Sequence, residues 1–168
     1  MSKNLYIMMG LPGAGKSYWL SKYALSDHVI SRDEIRFSML KDGEDYFAHE
    51  KEVYDKYVEE IQKALDIEQE EDLYVYADAT QISWKSRNRL LSRLNLKDVD
   101  VHIVYISTPI PECIYNNASR KGREYVSIAT MKEFAQRLQI PEADDFKYRS
   151  ITTVKYNTTV NTLKRGEN

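Results

Sequence analysis

The stretch Gly10-Leu11-Pro12-Gly13-Ala14-Gly15-Lys16-Ser17 fits the pattern G-x-x-x-x-G-K-[ST] at every fixed position. It lies where an apolar run, Leu5–Met9, stops at glycine and a helical pattern, Ser17–Tyr23, begins. Strand, glycine-rich loop and helix start is the order that cradling a phosphate requires. Glycines let backbone N–H groups turn toward an anion, and the helix opening near Lys16 contributes its positive end. Lys16 offers a point charge to the β- and γ-phosphates, and Ser17 offers a hydroxyl to a Mg²⁺ ion bridging phosphate oxygens. Gly10, Pro12, Gly13, Ala14, Gly15, Lys16 and Ser17 are the expected nucleotide-binding residues, with ATP and Mg²⁺ as expected cofactors.

Outward from the loop, His28–Ser31, Leu73–Ala77, Val99–Ile106 and Ser150–Tyr156 are short apolar or β-branched runs that read as strands. Asp33–Leu40, Phe47–Glu68, Ser83–Leu94, Pro111–Ser119 and Val126–Gln139 carry helical patterns; in the longest, apolar residues recur from Phe47 through Leu65 at a 3.6-residue period. Strands alternating with helices predict an α/β fold of three layers, a mostly parallel five-stranded sheet flanked by helices, with ligands beyond the carboxyl ends of the strands. Residues 1–157 form the expected single domain and 158–168 a loose tail. Tyr54, Tyr57, Tyr74 and Tyr76 fall at packing positions, where half-buried rings with wet hydroxyls are expected.

Composition narrows the function classes. A net charge of −2, from 24 basic and 26 acidic residues, argues against a protein that coats nucleic acid, while leaving room for a local positive groove. Cys113 is the only cysteine, so neither a disulfide within the chain nor a cysteine zinc cage can form. The N-terminal apolar run is too short for a signal sequence or a membrane span. A reducing, cytoplasmic setting without membrane contact is the expectation.

A phosphate loop alone does not separate a switch ATPase from a phosphotransferase, so the residues that would hold an acceptor decide. Ser31-Arg32-Asp33-Glu34-Ile35-Arg36 follows the second strand: Asp33 could take the proton of an acceptor hydroxyl and Arg36, one turn on, could clamp an acceptor phosphate. Equally, Asp33 could only cap a helix, with Arg36 as surface charge. Asp78, at the end of the third strand, is placed to hold the Mg²⁺ water shell or to orient the acceptor. Arg120, Lys121 and Arg123, around Gly122, form a basic loop able to close over polyphosphate. His28, His49 and His102 lack metal-ligand spacing, and Cys113 reads as packing.

With GLPGAGKSYWL, VISRDEIRFSML, VYADATQISWKSRNRL and NNASRKGREYVSIATMKEF, the chain resembles the kinase domain of bacteriophage-type polynucleotide kinases and their wider P-loop kinase relatives, over roughly residues 4–156. The resemblance implies a general base for a polynucleotide 5′-hydroxyl at Asp33 and an acceptor-phosphate clamp at Arg36. It also implies acceptor or metal-water contacts at Asp78 and Thr80, and a lid at Ser119–Gly122 whose basic residues reach the ATP phosphates. The phage enzymes carry arginine just before the lid glycine where this chain has Lys121, and arginine and lysine are not interchangeable there. The chain stops soon after the last kinase strand, so a kinase without a phosphatase half is expected, in a bacterial or phage-infected cell. The expected partners are a nucleoside triphosphate and a DNA or RNA 5′ end. A kinase for a small metabolite, nucleoside or antibiotic, and a non-catalytic nucleotide-binding module, are the alternatives.

Overall fold

A computed structural model of the chain describes residues 1–157 and 162–165, with the side chains of 123, 157 and 162–165 outside the description. The central strand is β1 (Lys3–Met9), whose Leu5, Ile7, Met8 and Met9 are wholly buried, as a strand covered on both faces must be. It pairs in parallel with β3 (Leu73–Asp78) on one side and β4 (Val99–Ile106) on the other. β2 (Val29–Ser31) extends the sheet beyond β3, and β5 (Ser150–Asn157) beyond β4, again in parallel. The order β2-β3-β1-β4-β5 confirms the expected five-stranded parallel arrangement.

A further strand, β6 (Thr162–Arg165), runs antiparallel along β5 and corrects the expectation of a loose tail for these four residues. The free edge of β5 offers unpaired backbone groups, and a short polar segment returning along it satisfies them.

The helices are α1 (Lys16–Tyr23), α2 (Arg32–Met39), α3 (Glu50–Leu65), α4 (Trp84–Ser92), α5 (Ile110–Ala118) and α6 (Ile128–Arg137). One face of the sheet packs α3 and α4 in a cluster that joins Leu5, Ile7 and Ile103 to Tyr57, Ile61 and Leu90. The other face packs Met8, Val104 and Ile106 against Trp19, Cys113 and Met131, from α1, α5 and α6. α3 starts at Glu50 rather than Phe47, because Asp45 Oδ1 accepts from the Phe47 amide and holds that residue in a turn, where its ring is exposed. Tyr54 and Tyr57 are buried together with their hydroxyls, which have no hydrogen-bond partner among the described residues, so the wet-hydroxyl expectation fails for this pair.

β1 is the point at which the strand order reverses: the chain passes from it to the β2–β3 side and later crosses to β4 and β5. A crevice opens at the carboxyl end of such a strand. Residues 10–17 occupy it. None of the helices among the described residues is long and apolar enough to cross a membrane.

Candidate active site

The loop after β1 takes left-handed backbone at Gly13 (φ 79°) and Gly15 (φ 103°), conformations that side chains disfavour. At Gly13 a Cβ would also lie 2.5 Å from the Cys113 carbonyl oxygen, so α5 backs directly onto the loop. Two side chains from that direction fix the loop carbonyls: Thr108 Oγ1 donates to Ala14 O at 2.6 Å and Asn116 Nδ2 to Gly13 O at 3.0 Å. In a planar trans peptide the N–H points opposite to its carbonyl, so tying back Ala14 O turns the Gly15 N–H forward. Gly15 caps α1 without a side-chain bond, and the first-turn amides of that helix lack intrahelical partners. A cradle of N–H donors results, and it fits a polyphosphate.

Lys16 folds back over the loop, its Nζ donating to Gly10 O at 2.9 Å and Leu11 O at 3.1 Å. Burial lowers its pKa while Asp78 opposes the shift and Arg120 adds to it. Asp78 shows the reverse: burial and its acidic neighbours Asp33 and Glu34 raise its pKa, against the pull of Lys16 and Arg120. Lys16, Asp78, Asp33 and Arg120 are thus brought within electrostatic reach of one another. The register explains the meeting of the two carboxylates, since Ser31, the last residue of β2, pairs with Asp78, the last of β3. Asp33 follows two residues later.

A largely buried carboxylate near a hydroxyl-bearing helix start suits Mg²⁺, which binds through one or two carboxylates plus phosphate oxygens and keeps several waters. Asp78, whose carboxyl accepts no hydrogen bond among the described residues, and Ser17, exposed at the head of α1, would hold it. Because the Asp78 pKa is raised in the fold, the folded protein binds more protons than the unfolded chain between pH 3.8 and the folded-state value. Stability therefore falls as pH rises through that window, and the cost stays in full above it. Asp78→Asn is expected to raise the melting temperature of the ligand-free protein by a few degrees at pH 7, to change it little near pH 4, and to abolish Mg²⁺-supported activity. Calorimetry at the two pH values checks it.

Asp33 does not cap α2. Ser31 does, its Oγ accepting from the Glu34 amide, which leaves the Asp33 carboxylate exposed in the first turn. Arg36 is not surface charge: it is 4% exposed, donates through Nη1 to Asp33 Oδ1 and to Tyr46 Oη at 2.7 Å, and through Nη2 to both oxygens of Glu50 at 2.9 and 3.1 Å. Tyr46 in turn donates to Asp33 Oδ1 at 2.7 Å, and burial with that contact raises its pKa, so it stays a phenol. Arg32 also pairs with Glu50. Both bonds to Asp33 fall on one oxygen, and its other oxygen receives none among the described residues.

The basic segment is divided. Arg120 reaches the field of Lys16 and Asp78 from the end of α5, while Lys121 is exposed at the head of a 3-10 turn, Gly122–Glu124, and touches none of the site residues described. The Arg123 side chain lies outside the described residues.

Several supports were missed from sequence. Tyr46 and Glu50 precede or open the long helix, and nothing in their spacing from Asp33 marks them. Thr108 and Asn116 come from a distant stretch. Thr80 O accepts from the Gly10 amide at 3.1 Å, while Gln81 Nε2 donates to Met8 O at 2.9 Å and Ala77 O at 3.0 Å. A cavity of about 350 Å³ lies beside the loop, lined by Leu11, Thr108, Pro109 and Leu138 among others, and neither Lys16, Asp33 nor Asp78 borders it.

Cys113 is packing, as expected: it is wholly buried, and burial pushes its thiol up to about 11. At pH 8 about one thiol in a thousand is ionised, so iodoacetamide is expected to leave the native protein unmodified and to alkylate it fully in denaturant, as read by mass spectrometry.

Comparison with known proteins agrees with this geometry. The profile of a family described as an AAA domain matches residues 5–141. Among curated proteins none matches the chain. Among solved structures, the Pnkp1/Rnl/Hen1 RNA repair complex contains a chain that superposes with a TM-score of 0.67 at 16% identity, over 88% of this chain and 47% of that one. A fungal RNA kinase superposes at 0.58 with 14% identity, over 100% and 78%. A sugar kinase from Janibacter sp. superposes at 0.55 with 12% identity, over 92% and 86%. The chain spans about half the length of the first of these. Identities this low show a shared P-loop kinase fold.

Proposed function

Since the chain belongs to this AAA domain family, we propose that it is an ATP- and Mg²⁺-dependent phosphotransferase acting on a hydroxyl, with the 5′-hydroxyl of a polynucleotide as acceptor. One observation carries the reading: Asp33 is held through a single oxygen by Arg36 and Tyr46 while facing the field of Lys16 and Asp78 at the mouth of the phosphate loop. A cap would need no such holding. A base that must meet a hydroxyl in one orientation does.

In this reading the loop amides and Lys16 bind the triphosphate, and Ser17 and Asp78 hold the metal, which neutralises charge on the phosphate oxygens when bound. Asp33 accepts the proton of the acceptor hydroxyl as that oxygen bonds the γ-phosphorus and the bond to the β,γ-bridging oxygen breaks. Arg120, within the field of Lys16 and Asp78, would add positive charge for the phosphates. Arg36, which the sequence offered as a phosphate clamp, has both Nη groups engaged by Asp33, Tyr46 and Glu50, so its contribution in this arrangement is to hold the base.

Neighbours of the same fold include an RNA kinase and a sugar kinase, so the fold does not choose the acceptor. The choice rests on the Arg32-Asp33-x-x-Arg36 element. It is tested with γ-labelled ATP, Mg²⁺ and a panel of 5′-hydroxyl DNA and RNA oligonucleotides, nucleosides, sugars and small alcohols. Label on oligonucleotide 5′ ends is expected; label on a small molecule alone would keep the phosphotransferase and reassign its substrate.

A further inference from the structure

Below the acceptor residues, the seam between α3 and α4 carries charge that the reaction above does not use. α4 contains no acidic residue, and Lys85, Arg89 and Arg93 recur at four-residue intervals along one side of it, over about 12 Å at 1.5 Å per residue. Arg89 and Arg93 lie against Tyr54 of α3, and Lys85 is exposed one turn before Arg89. The Arg89 guanidinium sits 3.8 Å from the centre of the Tyr54 ring, Arg32 at 5.0 Å and Arg93 at 5.5 Å. One aromatic face attracts a cation by its quadrupole, and three guanidiniums around one ring repel each other more than that attraction offsets.

The carboxylates facing the cluster are too few. Glu50 pairs with Arg32 but is shared with Arg36, and Asp55 pairs with Arg93 at 2.8 Å but is shared with Lys51 at 3.3 Å. Arg89 and Lys85 have no carboxylate partner among the described residues. Arg32 Nε is a further buried donor without an acceptor among the described residues. Such an assembly is completed by an anion. Its upper end is Arg32, the residue before Asp33, so whatever lies along it continues into the acceptor site.

We propose that Lys85, Arg89 and Arg93, with Arg32 at their head, form a subsite for the phosphodiester backbone of a single-stranded acceptor, holding the phosphates beyond the terminal nucleotide while its 5′-hydroxyl meets Asp33. This rests on the polynucleotide reading and extends it: a sugar or free nucleoside carries no chain of phosphates to occupy a 12 Å stripe, whereas successive phosphates of one strand do. Electrostatic contacts of this kind give affinity without sequence preference and release counterions on binding.

The test is a length series of 5′-hydroxyl oligonucleotides from one to eight nucleotides, with KM measured at several salt concentrations for the wild type and for Lys85→Gln/Arg89→Gln. Glutamine keeps part of the stem that covers Tyr54. In the wild type KM is expected to fall as the acceptor lengthens; in the double variant that fall is lost, and the slope of log affinity on log salt drops by about 0.7 for each cation removed. Lys132→Gln, on the exposed side of α6, serves as a charge control and should keep both behaviours. A double variant that retains the wild-type length dependence and salt slope, or one in which KM rises equally at every length, overturns the subsite while the polynucleotide reading stands. A wild type that labels no oligonucleotide of any length overturns that reading and the subsite with it.

Discussion

Asparagine in place of Asp33 is expected to lower kcat by about 10²–10⁴-fold while leaving the dissociation constant for ATP within about twofold of the wild type. The substitution is nearly isosteric, and the amide oxygen can still accept from Tyr46 Oη and Arg36 Nη1, the two contacts that hold the carboxylate. What it loses is the capacity to take a proton. The phosphate loop is assembled by Thr108, Asn116 and the glycines, none of which depends on residue 33, so nucleotide binding should survive. Single-turnover phosphoryl transfer and nucleotide titration on the same preparation separate the two quantities. A variant that turns over at the wild-type rate would show that Asp33 is not the base.

The second large effect is on stability. Arg87, on α4, is 0% exposed and bonds Asp144 through Nε at 2.7 Å and Nη2 at 2.8 Å, while Nη1 donates to Gln81 O at 3.0 Å and Nη2 also to Gln139 O at 2.9 Å. Its Nη1 also meets Met9 Sδ at 3.4 Å, next to the first glycine of the loop, and Tyr148 donates to Asp144 Oδ2 at 2.7 Å. One guanidinium thus joins the end of β1, the turn after β3 and the segment after α6. Truncation to alanine leaves Asp144 buried and unpaired, which costs about 3–5 kcal/mol. Domains of this size have only about 5–15 kcal/mol in total. Arg87→Ala is therefore expected to shift the urea midpoint strongly and to leave much of the chain unfolded at 37 °C, whereas Arg87→Met/Asp144→Leu, which removes both charges, should recover a large part of the loss. A cost under about 1 kcal/mol for the single variant would mean that Asp144 finds water or another donor.

The effects differ in kind. Asp33 is exposed, and its proposed work is on a substrate; Arg87 is buried, and its work is to tie the end of β1 to two later segments. Sequence placed both on helices near the sheet edge, offered Asp33 as a base or a cap, and did not mark Arg87. Helical spacing around Arg87 shows a basic residue among apolar ones, and a cation on the buried side of α4 is interpretable only once Asp144, far along the chain, is seen to come back against it.

Patterns that repeat over short spans were legible. Five strands, six helices and the phosphate loop follow from apolar runs of strand length, 3.6-residue periods and glycines at fixed spacing, because those signals express local geometry. Boundaries drifted where a side chain intervened: Asp45 holds Phe47 out of α3, and Ser31 rather than Asp33 caps α2. Strand β6 gave no signal, since a short polar segment pairs only when a free edge is offered to it.

The chain's own order of residues determined the architecture, the loop and the identity of its lysine and serine, because a left-handed turn before a helix demands glycine wherever it occurs. Tertiary structure alone decided which charges meet. Register between β2 and β3 brings Asp33 into the field of Asp78, α3 returns Glu50 to a buried Arg36, Tyr46 reaches Asp33 from a turn, and three arginines from two elements gather on Tyr54. Electrostatic and hydrogen-bond partners are matters of distance in space, and separation along the chain carries no trace of it until the sheet has formed.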